Sequence, residues 1–487
     1  MSEHTAIIAG VVVDTRHWIG GERVASPETF TDISPIDGRT LAEIARGGAA
    51  EAEAAVAAAR DAFPVWAATS RAERARVLHA IADGVERRLE ELAIVETNDN
   101  GALLRSHLRG VMPRVAHNFR FFADWLLELE HKDFQTRGHT NSVSWDPAGP
   151  CVLITPWNAP LMLATWKVAP ALAAGNSVIL KPAEWSPLTA SLLADIAAGA
   201  GLPAGVLNVV QGYGAEAGSA LVSHPDIRRI SFTGSVPTAK QIARAAADNL
   251  TPLSLELGGK SPLLVFADAD LDLAVDLAVE QYDNAGQVCL AATRLLVDAS
   301  VAEEFTRRFT EKAAGLTQGD PRDEATDIGP NIHPRQLKKI DGFVNRAVDA
   351  GARTVIGGSP KADLYYRPTL LTDVAQDSEI VQEEVFGPVL TLQTFETESE
   401  AIALANGTRF GLAATVVTGD RERAQRVTAR LVAGTVWVNC FFVRDLQAPF
   451  GGSRQSGIGR EGGNWSFDFY CDVKNTVTAP EGWHSHG

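Results

Sequence analysis

Leu255-Glu256-Leu257-Gly258-Gly259-Lys260-Ser261-Pro262 reads as the end of an apolar strand that breaks at two glycines. Glycine after a strand marks a turn or a close backbone approach, so a single carboxylate is left near the exit of an otherwise apolar element. Burying it is costly unless backbone N–H groups satisfy it as a core acid or its ionisation is put to use. Upstream, apolar runs at 151–154, 177–180, 206–210, 230–232 and 253–255 alternate with helical segments, the pattern of a parallel, doubly wound sheet. Ligands of such sheets bind beyond the carboxyl ends of the strands, and Asn158, Lys181, Gly212 and Gly234 each follow an expected strand there. Downstream, 261–449 holds a second α/β series, with strands expected at 263–266, 294–297, 389–395, 413–417 and 435–439.

That second series contains Gly286-Gln287-Val288-Cys289, expected as a short loop between a helix at 271–284 and the strand at 294–297. Free cysteine usually behaves as a small buried hydrophobe. A cysteine in a glycine-led loop at the junction of two elements is instead placed to be presented to a ligand, here 289 − 256 = 33 residues after the acid.

The 487 residues exceed what one hydrophobic core holds, so two or three domains are expected. With 45% hydrophobic and 21% charged residues the composition is that of a soluble globular protein, and a formal net charge of −16 argues against nucleic acid or an anionic membrane as partner. Four scattered cysteines, Cys151, Cys289, Cys440 and Cys471, form no CxxC pair. That leaves neither a disulfide framework nor a metal site and suits a reducing, cytoplasmic compartment. The apolar segment 6–13 is too short to span a bilayer and lacks the features of a signal peptide. Ahead of the first α/β series, a hairpin is expected at 18–24, amphipathic helices at 49–67 and 71–98, and a third, aromatic-rich helix at 111–130.

Six motifs stand in a fixed order: Thr155-Pro156-Trp157-Asn158, Lys181-Pro182-Ala183-Glu184, the Glu256 stretch, the Cys289 loop, Glu383-Glu384-Val385-Phe386-Gly387-Pro388 and Pro449-Phe450-Gly451-Gly452. Together they resemble the aldehyde dehydrogenase superfamily over about 18–477. The resemblance implies an α/β fold with a Rossmann-like NAD-binding domain (1–136 and 150–257), a catalytic domain (258–449) and a small β extension (137–149 and 467–480) that makes a homotetramer or dimer. It implies Cys289 as the nucleophile toward an aldehyde, Asn158 with the Cys289 backbone N–H as the oxyanion hole, and Glu256 as the base that hydrolyses the thioester. It also implies NAD as cofactor. Thr155, Pro156, Trp157 and Leu257 would contact it, with Lys181 and Glu184 at the adenosine ribose. Gly212, Thr233, Gly234 and Ser235 would form the phosphate turn, with Glu384 at the nicotinamide ribose and Phe386 near the ring. A carboxylate at Glu184 favours NAD over NADP by repelling a 2′-phosphate. The general GxGxxG fingerprint is absent, and Ala239 and Pro237 depart from the family's usual phosphate turn. What lowers the Cys289 pKa stays open among backbone dipoles, the cofactor's charge and Lys167.

Within the superfamily, Met112-Pro113-Arg114, the run 164–170 and Val443-Arg444-Asp445-Leu446 look most similar to the 2-hydroxymuconic and 5-carboxymethyl-2-hydroxymuconic semialdehyde branch. The resemblance puts Arg114 and Arg444 on a distal carboxylate of the substrate, with Trp166 lining the tunnel; pairing of either arginine with an acid such as Asp445 is the competing reading. Benzaldehyde-type or betaine aldehyde oxidation is the alternative activity. A catalytically silent nucleotide-binding relative is opposed by the presence of Asn158, Glu256 and Cys289 together, and a CoA-acylating relative by Glu256.

Overall fold

The computed structural model describes residues 4–130 and 132–484; residues 1–3 and 131 of the expected 1–136 segment lie outside the described residues. Two sheets carry the molecule. The first has eight strands in the order Gly457–Ile458, Leu253–Leu257, Arg229–Gly234, Cys151–Ile154, Val178–Lys181, Leu207–Val209, His17–Ile19 and Glu22–Val24. The five central strands are parallel. They are the five expected from sequence; at the edges the His17–Ile19 hairpin and Gly457–Ile458 add antiparallel strands.

Side-chain alternation explains why this sheet is wound on both faces. Cys151, Leu153, Val178, Leu180, Leu207 and Val209 enter one core, while Val152, Ile179, Ile230, Phe232, Leu255 and Leu257 enter another. Cys151–Ile154 and residues 178–180, buried on both faces, read as continuous apolar runs, while Arg229–Gly234 and Leu253–Leu257 place polar Ser231, Thr233, Ser254 and Glu256 at alternate positions.

The second sheet orders Arg353–Ile356, Thr369–Thr372, Val389–Phe395, Arg294–Asp298, Pro262–Val265, Ala413–Val417 and Thr435–Val438, all parallel except the first. A third, antiparallel sheet pairs Cys471–Thr478 with His139–Pro147 and Lys132–Thr136. It begins five residues before the expected 137, and residues 467–470 belong to a helix, Gly463–Tyr470, not to the strand.

Two helix expectations are also corrected. The run expected at 71–98 divides at Arg88 (φ −111°, ψ 18°) into Arg71–Arg87 and Leu89–Asn100, a break with no proline or glycine to announce it. The helix expected at 271–284 stops at Val279; a 3₁₀ turn, Glu280–Gly286, follows, and within it Asn284 and Ala285 turn left-handed.

Candidate active site

Glu256 is the next-to-last residue of its strand and is buried, with neither carboxylate oxygen hydrogen-bonded. Gly451 leaves it room, since a Cβ there would stand 2.9 Å from Glu256 Oε1. Burial and the nearby Glu461 carboxylate raise the Glu256 pKa well above the usual carboxylate range, against the weaker pull of Lys167, Arg444 and Arg460. Glu461 escaped the sequence reading. It accepts hydrogen bonds from Lys167 Nζ (2.8 Å), Ser231 Oγ (3.1 Å) and Ser254 Oγ (3.3 Å), and the only local signal was an acid in a glycine-rich stretch.

Glu256 and Glu461 line a cavity of about 980 Å³ together with Asn158 and Cys289. Cys289 is half-buried, and desolvation with the charges of Glu384 and Glu256 pushes its thiol up to about 12 while Arg444 pulls it down. In the free protein near neutral pH the sulfur is therefore a thiol, and a base or a bound charge must help remove the proton. Lys167 does not serve: its ammonium is fully buried and donates to Glu461 and Ser231. Asn158 donates from Nδ2 to the Gln287 carbonyl at 2.9 Å, which commits one amide proton and leaves the other for an anion.

Of the expected cofactor residues, Pro156, Trp157, Thr233, Gly234, Ser235, Leu257, Glu384 and Phe386 line this cavity. Gly234 is the last residue of its strand, and a Cβ there would meet the Phe232 ring at 2.5 Å. Ser235 caps the helix Val236–Ala247, accepting from Thr238 N, so a helix N-terminus opens on the cavity as an anion site requires. Pro237 occupies the first turn, where its missing N–H is harmless. Glu384 accepts from Gly259 N at 3.1 Å and lies against Gly258, where any Cβ would collide with the carboxylate. Phe386 adopts φ 60° and meets Trp157 edge-on at 5.2 Å. Gln336, a residue the sequence reading passed over, donates to the Phe386 carbonyl at 2.7 Å and holds that left-handed turn.

Thr155, Lys181, Glu184 and Gly212 stand apart from the cavity lining. Lys181, the last residue of the neighbouring strand, and Glu184 just past it face each other at 3.6 Å, and Thr155 is buried. Gly212 does not share the turn of Gly234 as expected. The strands Cys151–Ile154 and Val178–Lys181 lie between the strands that lead to the two glycines, and Gly212 packs on Gly47 instead. A helix N-terminus opening on the cavity and a carboxylate on each side, Glu184 and Glu384, fit a dinucleotide.

Arg114, Trp166 and Arg444 also line the cavity. The Arg444 guanidinium lies 3.6 Å from the Phe450 ring centroid and 4.9 Å from that of Trp166, and Arg114 approaches the same Trp166 at 6.0 Å. Among the described residues neither arginine forms an ion pair, and Arg444 Nη2 has no hydrogen-bond partner. Neither arginine thus makes an ion pair with Asp445, which accepts from Gln447 N, although its charge acts on Arg114 through space. Burial and the neighbouring Arg114 push Arg444 down to about 10, which leaves it charged at neutral pH.

Two wound sheets meeting at a cavity with a cysteine, a buried glutamate and an asparagine define the class: the chain belongs to the aldehyde dehydrogenase family, whose profile matches residues 23–476. It is 44% identical over 481 residues to the 2-hydroxymuconic semialdehyde dehydrogenase of Pseudomonas sp. (strain CF600), covering 95% of this chain and 99% of that protein. To the 5-carboxymethyl-2-hydroxymuconate semialdehyde dehydrogenase of Escherichia coli it is 42% identical over 461 residues, 92% of this chain and 98% of the relative. The crystal structure of an indole-3-acetaldehyde dehydrogenase complexed with NAD⁺ superposes with a TM-score of 0.95 at 40% identity, covering 97% of this chain and 98% of that one.

Proposed function

We propose that the protein oxidises an aldehyde bearing a distal carboxylate, a semialdehyde of the kind released by aromatic ring cleavage, to a dicarboxylate with NAD. The observation that carries the substrate class is the pair of unpaired guanidiniums sharing the Trp166 ring. Two like charges held close, with Asp445 acting on Arg114 and Glu256 and Glu461 on Arg444 only through space and without an ion pair, are poised for an anion, and they would repel the cationic betaine aldehyde. The two muconate relatives support the same substrate class, and the NAD⁺-bound neighbour supports the cofactor.

In this reading the Cys289 thiol gives its proton to solvent in the cavity, Sγ bonds to the aldehyde carbon, and the second amide proton of Asn158 and the Cys289 N–H stabilise the alkoxide. NAD, when bound, supplies the hydride acceptor, which leaves a thioester on Cys289. Glu256 then takes a proton from water, the hydroxide displaces the sulfur, and a carboxylate leaves. Lys181 and Glu184 would hold the adenosine ribose, Gly234 and Ser235 the phosphates, and Glu384 the nicotinamide ribose. Segments 1–136 with 150–257 would form the cofactor domain and 258–449 the catalytic one. The unpaired edge of Cys471–Thr478, with Val473 54% and Val477 56% exposed, supports self-association into a dimer or homotetramer. Four free cysteines support a cytoplasmic site, and no helix among the described residues is long and apolar enough to cross a membrane.

The test is NADH formation from paired aldehydes with and without a distal carboxylate. Equal kcat/KM for both would reject the substrate class. Glu256→Gln should release NADH in a burst approaching one equivalent per site and then stall, because only deacylation needs the base. Loss of the burst would show that Glu256 acts before hydride transfer. Since an elevated pKa keeps Glu256 protonated until higher pH, wild-type kcat should rise with pH along a limb displaced above the ordinary carboxylate range, and a limb near pH 4 to 5 would contradict that environment.

A further inference from the structure

We infer that Asn284 is a positioning residue for the oxyanion donor, holding Asn158 and the nucleophile loop in one rigid unit. Three successive residues, Asn284 (φ 49°, ψ 37°), Ala285 (φ 55°, ψ 34°) and Gly286 (φ 69°), are left-handed immediately before Gln287-Val288-Cys289. Such a run is unfavourable for L-residues and persists only where surrounding contacts over-determine it.

The contacts here converge on Asn158. Asn284 Nδ2 donates to the Asn158 backbone carbonyl at 3.0 Å, while Asn158 Nδ2 donates to the Gln287 carbonyl at 2.9 Å. Asn158 is thus gripped at its peptide and at its carboxamide by two residues of one turn. Gln287 closes the turn on itself, donating from N and Nε2 to the Asn284 carbonyl at 3.1 and 3.0 Å, and its Oε1 accepts from Ile332 N at 3.0 Å. Gly286 allows the turn to press on Gly387, whose carbonyl oxygen would stand 2.2 Å from any Cβ.

A primary amide is planar, so committing one Nδ2 proton fixes the direction of the other. The left-handed turn therefore sets where the free Asn158 proton points relative to the loop that carries the sulfur. Asn284 touches neither reacting atom in this account and acts through Asn158. The inference rests on Cys289 as nucleophile and Asn158 as oxyanion donor.

Asn284→Gly tests it, because glycine keeps the left-handed backbone without strain and removes only the donor. The NADH burst should slow by about 10- to 100-fold, the usual consequence of a displaced catalytic group. NAD affinity and the rate of Cys289 alkylation by iodoacetamide should stay at wild-type values, because alkylation builds no oxyanion. A wild-type burst rate would overturn the inference. So would parallel changes in burst and alkylation, which would mean that the sulfur itself had moved. Asn284→Asp, which keeps size and left-handed tolerance but turns the donor into an acceptor facing a carbonyl, should slow the burst at least as much; a normal burst there would overturn it equally, should the glycine variant fail to fold. Cys289→Ala is the control: turnover by that variant would sink the underlying nucleophile assignment instead.

Discussion

Cys289→Ala should lose aldehyde oxidation by a factor on the order of 10⁴ or more while binding NAD about as tightly as the wild type, since the sulfur makes a bond to the substrate and none to the dinucleotide. The substitution is mild for the fold. Cys289 is half-buried at the cavity and not within a sheet, so removing one sulfur leaves no deep void. The measurement is steady-state NADH production alongside NAD titration by tryptophan fluorescence, for which Trp157 beside Phe386 supplies the reporter. Appreciable turnover would remove Cys289 from the mechanism. Loss of NAD binding in step with activity would mean that the loop, not the thiol, was the essential element.

Arg444→Ala should raise KM for an acid-bearing semialdehyde by roughly one to two decades, about 1.5–3 kcal/mol for a hydrogen bond to a charged group. A neutral aldehyde should be nearly unaffected. The size follows from the surroundings: the guanidinium packs on Trp166 and Phe450, carries an unsatisfied Nη2 and forms no ion pair among the described residues. Its loop is pinned independently by Trp437 Nε1 donating to the Val443 carbonyl at 2.8 Å, so truncation at 444 need not unravel the wall. Equal losses on acidic and neutral aldehydes would make the arginine structural and leave the substrate class without support. Arg114→Ala should show the same selectivity, since Arg114 approaches the same indole.

Much of the architecture was legible because it is written in local patterns. Val389–Phe395 and Ala413–Val417 could be bounded from sequence because both are rich in valine, leucine and threonine, residues that suit a buried strand, and each is set off by glycine or proline on one side or by charged residues on the other. The hairpin at Gly20-Gly21 and the helix opening at Ser235 were legible because turns and caps need particular residues at particular positions. Edge strands were not. Gly457–Ile458 has two residues, too few for any period, and pairs with Leu253–Leu257 only because the chain returns from the second sheet.

The same division runs through the site. Cys289, Glu256 and Asn158 were picked out by residue type beside a glycine or a strand end, and the tertiary structure brings all three to one cavity. Glycine spacing could not say that Gly212 lies away from Gly234, because strand order is set by crossover connections and not by neighbours in the chain. Nor could periodicity find the grip of Asn284 on Asn158, made across 284 − 158 = 126 positions, or the left-handed turn that makes it possible. Glu461 is the sharpest case: as a lone acid it carries no signal, yet packed beside Glu256 it helps raise that pKa. Sequence by itself determined which chemistry the chain carries, because side-chain type and turn residues are local. Only the tertiary structure decided how those groups are charged and aimed, because desolvation and long-range hydrogen bonds exist only once distant segments are packed together.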